Sequence, residues 1–138
     1  MQHRLTLGAI LLLYMGCAQR YAAPASVRTS AGPEEAFNCV KRQMSTLGYK
    51  QSSLDTEEHR INGTKIDTKS RRPDTQFRRM LDRLEVEVGA EADGQTGIEV
   101  QARTFAEYTT QRGPTEVEEK ASEEAKSAAQ KLLEQCRG

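Results

Sequence analysis

Between Pro33 and Gly48 the large apolar side chains recur at spacings of three and four: Phe37, Val40, Met44 and Leu47. That period gathers them on one stripe and predicts an amphipathic α-helix. Pro33 suits the first turn, where its missing N–H costs nothing, and Glu34 and Glu35 favour the positive end of the helix dipole. Gly48 offers a left-handed stop. Cys39 lies beside the apolar stripe.

Further along, the period shortens to two. Leu84, Val86 and Val88 alternate with Glu85 and Glu87. Ile98, Val100 and Ala102 alternate with Glu99, Gln101 and Arg103. These are two strands, each with one buried and one wet face, joined by a hairpin loop at Asp93-Gly94. On the wet face Glu85 and Glu87 can pair across strands with Arg103. Tyr49 to Leu54 reads as a short strand, Asp55 to Glu58 as a turn, and His59 to Thr68 as a returning strand. In that second strand Ile61 and Ile66 fall on opposite faces unless a bulge near Gly63 brings them together. Lys69 to Arg83 reads as a loop leading into the next strand, with one face of a short helix at Phe77, Met80, Leu81 and Leu84 as the alternative.

Gly113-Pro114 is expected to open a final helix that runs to about Cys136. Glu116, Glu118 and Glu119 load its start, and Lys131 and Arg137 its end. Val117, Ala121, Ala125, Ala128, Leu132 and Cys136 would form its inner stripe. The order is then helix, four strands, helix. The expected fold is α+β: a four-stranded antiparallel sheet with an N-terminal and a C-terminal helix packed on one face. Cys39 and Cys136 would meet between the helices.

The start of the chain follows a different pattern. His3 and Arg4 precede an apolar run from Leu5 to Met15, which ends at Gly16-Cys17. At about eleven residues the run is half of what a spanning helix needs. It resembles a bacterial lipoprotein signal peptide. That resemblance covers the first seventeen residues, with Tyr14 and Met15 differing from the usual pattern. It implies a signal peptide over 1–16, lipidation of Cys17, and anchoring by acyl chains, palmitate among them. Ala18, where an Asp would favour the inner membrane, implies the periplasmic face of the outer membrane. Ordinary secretion, with a cut at Gly16-Cys17-Ala18 or Ala23-Pro24-Ala25, is the alternative and would leave a soluble periplasmic protein. Residues 17–32 are small and polar and read as a flexible tether, followed by a single domain over 33–138.

Composition narrows the rest. The 138 residues carry 20 basic and 20 acidic side chains and no Trp. A balanced charge gives no reason to expect nucleic acid as a partner, and the core must be small and aliphatic. Besides Cys17, the chain has Cys39 and Cys136. One even pair in an exported chain reads as a disulfide. A reactive thiol at Cys39, with His59 nearby, is the alternative.

Catalytic chemistry finds little purchase. Past the leader, His59 is the one histidine, set among Glu57, Glu58 and Arg60 with nothing to complete a triad. There is no glycine-rich phosphate loop and no zinc-type spacing, so neither cofactor nor metal is expected. The sharpest local feature is basic: Lys69, Arg71, Arg72, Arg78, Arg79 and Arg83, against Asp74 and Asp82. Such a run could contact anionic lipid, acidic glycan or an acidic protein surface, or it could pair with the acidic last helix. The expected role is a non-enzymatic, lipid-anchored envelope protein that acts as an interaction or accessory module. Its layout is similar to that of accessory lipoproteins of the outer-membrane barrel-assembly machinery, without a shared motif. A second possibility is a carrier whose apolar pocket is lined by Phe37, Val86, Val100 and Leu132.

Overall fold

The computed structural model describes residues 21–138; the leader and Cys17 lie outside them. The elements follow as β1 (Ala23–Thr29), α1 (Pro33–Thr46), β2 (Lys50–Asp55), β3 (Arg60–Asp67), β4 (Phe77–Ala90), β5 (Thr96–Thr110), β6 (Gly113–Glu119) and α2 (Glu123–Cys136). The mixed α+β class is as expected, but the sheet has six strands rather than four. All pairings are antiparallel, in the order β1-β5-β4-β3-β2. β6 also pairs β5, beyond the end of β1. β1 lies against Thr96–Ala102 and β6 against Thr104–Thr110, so the two share one edge of β5.

Both extra strands correct the sequence reading. The expected tether contains β1, so the first described element is a strand and the helix at Pro33 comes second. Ala23, Ala25 and Val27 alternate inward and pack on the core, while Pro24, Ser26 and Arg28 face outward. The period of two was present, but carried by alanines too small to mark it. At the other end, Gly113-Pro114 opens β6, not a helix. Gly113 takes φ +106° in the tight β5–β6 turn, a conformation that suits glycine. Pro114 is tolerated because β6 is an edge strand. Glu116, Glu118 and Glu119 therefore lie on a strand, and Val117 is exposed. The helix starts at Glu123, where the Ser122 hydroxyl caps it by accepting from the Ala125 N–H at 3.0 Å.

β3 is also more regular than expected. Ile61 is buried and Ile66 exposed, on opposite faces as an unbulged strand requires. The irregularity sits in the neighbouring strand, where Ser52 is the extra residue between Gln51 and Ser53. Gly63 has its own reason. It lies beneath α1, and a Cβ there would fall 2.9 Å from Met44 Sδ and 3.0 Å from Tyr49 Cβ.

Both helices cover one face of the sheet. α1 buries Ala36, Phe37, Val40 and Met44, and α2 buries Ala125, Ala129, Leu132, Leu133 and Cys136. Beneath them lie Ile61, Leu84, Val86, Val88, Ile98, Val100 and Ala102. Cys39 and Cys136 form a disulfide across 97 residues, with Cα atoms 5.7 Å apart. It joins α1 to the last residue of α2.

Two outcomes follow for stability. Replacing Cys39 and Cys136 together by Ala should lower the unfolding free energy by about 4–5 kcal/mol, because the closed loop is long. Gly63→Ala should cost about 1–3 kcal/mol by overpacking against Met44 and Tyr49. Urea denaturation of each variant against the unaltered protein measures both.

Candidate interaction surface

The basic run lies in the loop before β4 and in β4 itself, and four of its six cations meet carboxylates. The Arg72 guanidinium donates to both oxygens of Glu119, at 2.7 and 2.6 Å, and to the Tyr108 hydroxyl at 3.0 Å. It also sits 5.4 Å from the Phe77 ring centre, and that ring packs edge-on against Tyr108. Arg78 and Arg79 converge on the buried carboxylate of Glu107, at 3.4 and 3.1 Å. Arg83 pairs with Glu116 at 3.2 Å and lies 4.4 Å from the Phe105 ring centre. These acids stand on β5 and β6, not on the last helix.

Most of these groups belong to the sheet face turned away from the helices. Leu84, Val86 and Val88 point into the core, so Arg83, Glu85 and Glu87 point the other way. There Arg103 bridges Glu85 at 3.1 Å and Glu118 at 2.7 Å. The expected Glu87 contact goes instead to Arg60, at 3.3 Å. A row of apolar side chains, Ile66, Leu81 and Phe105, runs across the same face, with Arg83 stacked on Phe105. Leu81 is buried there although no helix covers it. Over Phe105 the Arg83 guanidinium covers the ring while pairing with Glu116.

Protonation follows the pairing. Hydrogen bonding from Arg72 holds the Glu119 carboxyl below the usual glutamate range, and the same contact raises Arg72. The bond to Glu118 raises Arg103. Burial pushes the Tyr49 hydroxyl well above its usual range, helped by Asp82 and Glu124.

Two members of the run have other surroundings. Arg71 curls onto its own loop, donating to the Thr68 and Ser70 carbonyls at 2.6 and 3.0 Å. Lys69 has no carboxylate partner among the described residues. It lines a groove of about 560 Å³ with Lys65 and Lys131, beside Asp67, Glu123 and Glu124. The six cations thus form no single anion-binding patch; four of them are already neutralised within the domain.

The other sequence candidates separate. Cys39 is committed to the disulfide. His59 sits in the β2–β3 turn at φ +50°, with its ring 5.2 Å from Phe37. Phe37, Val86, Val100 and Leu132 come together but pack against one another in the core. Among the described residues no cluster of three or more His, Cys, Asp or Glu could hold a metal ion, and no helix is long and apolar enough to cross a membrane.

One polar cluster escaped the sequence reading. Asp82 is buried on the helix side and accepts from the Thr104 hydroxyl at 2.6 Å and the Ser122 hydroxyl at 2.9 Å. The Ser122 N–H in turn donates to the Thr104 hydroxyl at 2.8 Å. The signal was there: Asp82 and Thr104 hold the same parity as Leu84 and Ala102, which face inward. Their arrangement fixes the start of α2 on the sheet, a structural task.

A scan of protein-family models finds none that matches the chain, and a search of curated proteins finds no similar one.

Arg72→Met should bring the Glu119 carboxyl back up into the ordinary glutamate range, read by NMR titration. Because Glu119 titrates lower in the folded protein than in the unfolded chain, its contribution to stability is present above the unfolded value. It is lost as pH falls through the lowered folded value, and the variant should lose that part of its acid sensitivity.

Proposed function

We propose that this protein is a non-enzymatic, lipid-anchored module of the bacterial envelope that works by presenting its sheet to another protein. The disulfide carries the reading. A bond between Cys39 and Cys136 forms and persists in an oxidising compartment, and it agrees with the leader ending at Gly16-Cys17. The first strand sharpens the picture. With β1 starting at Ala23, a lipid on Cys17 would hold the domain within about 20 Å of the bilayer, since a residue spans at most about 3.6 Å. A domain held that close stays at the membrane surface instead of ranging on a long tether. The outer membrane, periplasmic face, is the location in keeping with Ala18.

The charge pattern supports a protein partner over a lipid or glycan surface. Most of the basic run is paired internally, so a polyanion would have to compete with glutamates already in place.

Metabolic labelling with an alkyne palmitate, together with membrane fractionation, tests the anchor. The unaltered protein should take up the label and sediment with membranes. Cys17→Ser should take up none and move to the soluble fraction. An unlabelled wild type, or a Cys17→Ser protein that still sediments without a partner, would overturn the reading.

A further inference from the structure

β2 is the outermost strand on its side of the sheet, and all six of its residues are exposed. Its outer row of backbone N–H and C=O groups has no partner strand among the described residues, which makes it a template for a further strand. The opposite edge is unlike it. There β6 carries Pro114 and three glutamates, and β1 carries Pro24.

The charges along β2 are segregated. Lys50 opens the strand, and Lys41 of α1 lines the same groove beside it. Asp55 closes the strand and Glu57 and Glu58 follow. Among the described residues none of these five makes an ion pair, whereas the other sheet faces are laced with them. Asp55 is occupied only by the N–H groups of Glu57 and Glu58, both on its Oδ1. One end of the edge is basic and the other acidic.

We propose that β2 is the contact strand of a symmetric dimer, in which two copies pair β2 against β2 antiparallel and join their sheets. A two-fold axis at Ser52–Ser53 sets Lys50 opposite Asp55 of the second copy, and Gln51 opposite Leu54. The basic end of each copy then meets the acidic end of the other, the self-complementarity a two-fold interface requires. A foreign strand of one charge would satisfy half of this edge and repel the other half.

The bulge makes the register possible. Residues five apart in a regular strand face opposite sides. Here Lys50 pairs with Thr64 and Asp55 with Arg60, positions four apart on unbulged β3, so both point to the same face. Ser52, as the extra residue, brings them there. Leu54 is exposed on the helix side, beyond the reach of α1, and its partner in this register would cover it. The proposal stands on the edge alone and holds whether or not Cys17 carries lipid.

Zero-length cross-linking tests it on the full chain, in membranes and after extraction into mild detergent. A carbodiimide joins a lysine directly to a carboxylate. Within one copy the bulge leaves Lys50 and Asp55 four steps of β3 apart, about 13 Å along the strand, too far for such a link. A Lys50 bond to Asp55, Glu57 or Glu58 in a dimer band is therefore intermolecular. Lys50→Glu, which lacks the reacting amine, is read by sedimentation instead: opposing like charges should lower its dimer fraction roughly tenfold, with unchanged circular dichroism. Lys50→Glu with Asp55→Lys should restore it, now through a link between the exchanged residues. Absence of a dimer band, a dimer that survives Lys50→Glu, or Lys50 linked instead to a different protein would overturn the proposal.

Discussion

The antiparallel ladder between β4 and β5 sets the position of every other element. It runs from Phe77 opposite Tyr108 to Ala90 opposite Thr96, and its alternation divides the protein in two. Residues of one parity, from Leu84 to Val88 and from Ile98 to Ala102, form the floor under both helices. Residues of the other parity carry the interlaced arginines and glutamates. A slip of one residue would exchange these sets, putting glutamates under the helices and valines in water. β3, β1 and β6 take their registers from this pair, and the disulfide closes over it.

The ladder is longer than the helices it supports, and the protein handles the surplus with polar chemistry. Where α2 begins, Asp82, Thr104 and Ser122 replace apolar contacts with three hydrogen bonds. They supply the first turn of the helix with a capped start and mark where the apolar floor ends. Past that point the covering comes from the loop that holds Arg72, clamped onto Glu119 and Tyr108. On the far face the Arg83 guanidinium lies over Phe105, which pairs with Leu81 across the strands. A domain without Trp and with few aromatics thus extends its buried surface by laying charged side chains over apolar ones.

What the sequence disclosed depended on side-chain size. Leu84 to Val88, Ile98 to Ala102 and the stripe from Phe37 to Leu47 show their periods plainly, because large apolar groups mark the inward positions. β1 has the same period, but alanines at Ala23 and Ala25 mark it faintly, next to a proline. β6 carries glutamates where a strand would show valines, and glutamates after Gly-Pro imitate the first turn of a helix. That single misplacement also obscured the basic run. With Glu116 and Glu119 assigned to a helix, Arg72 and Arg83 lost the strand positions of their partners. Pairing between distant segments is not written in local periodicity, so the surface chemistry could be read only once the topology was known. Cys39 and Cys136 were the exception, since reading Cys17 as the lipid site left two cysteines and one possible bond.

The place of β1 in the sheet has a kinetic consequence. Ala23 pairs with Ala102, and the strand lies against a partner some seventy residues further along the chain. Synthesis delivers the N-terminal end first, so β1 must wait, unpaired, until β5 has emerged. The wait of Cys39 is longer still, because Cys136 lies 97 residues further along. Such non-local closures slow folding. The domain therefore completes its sheet late and its covalent bond last, and a nascent chain holding only its first half exposes a strand and a thiol with nothing yet to receive them.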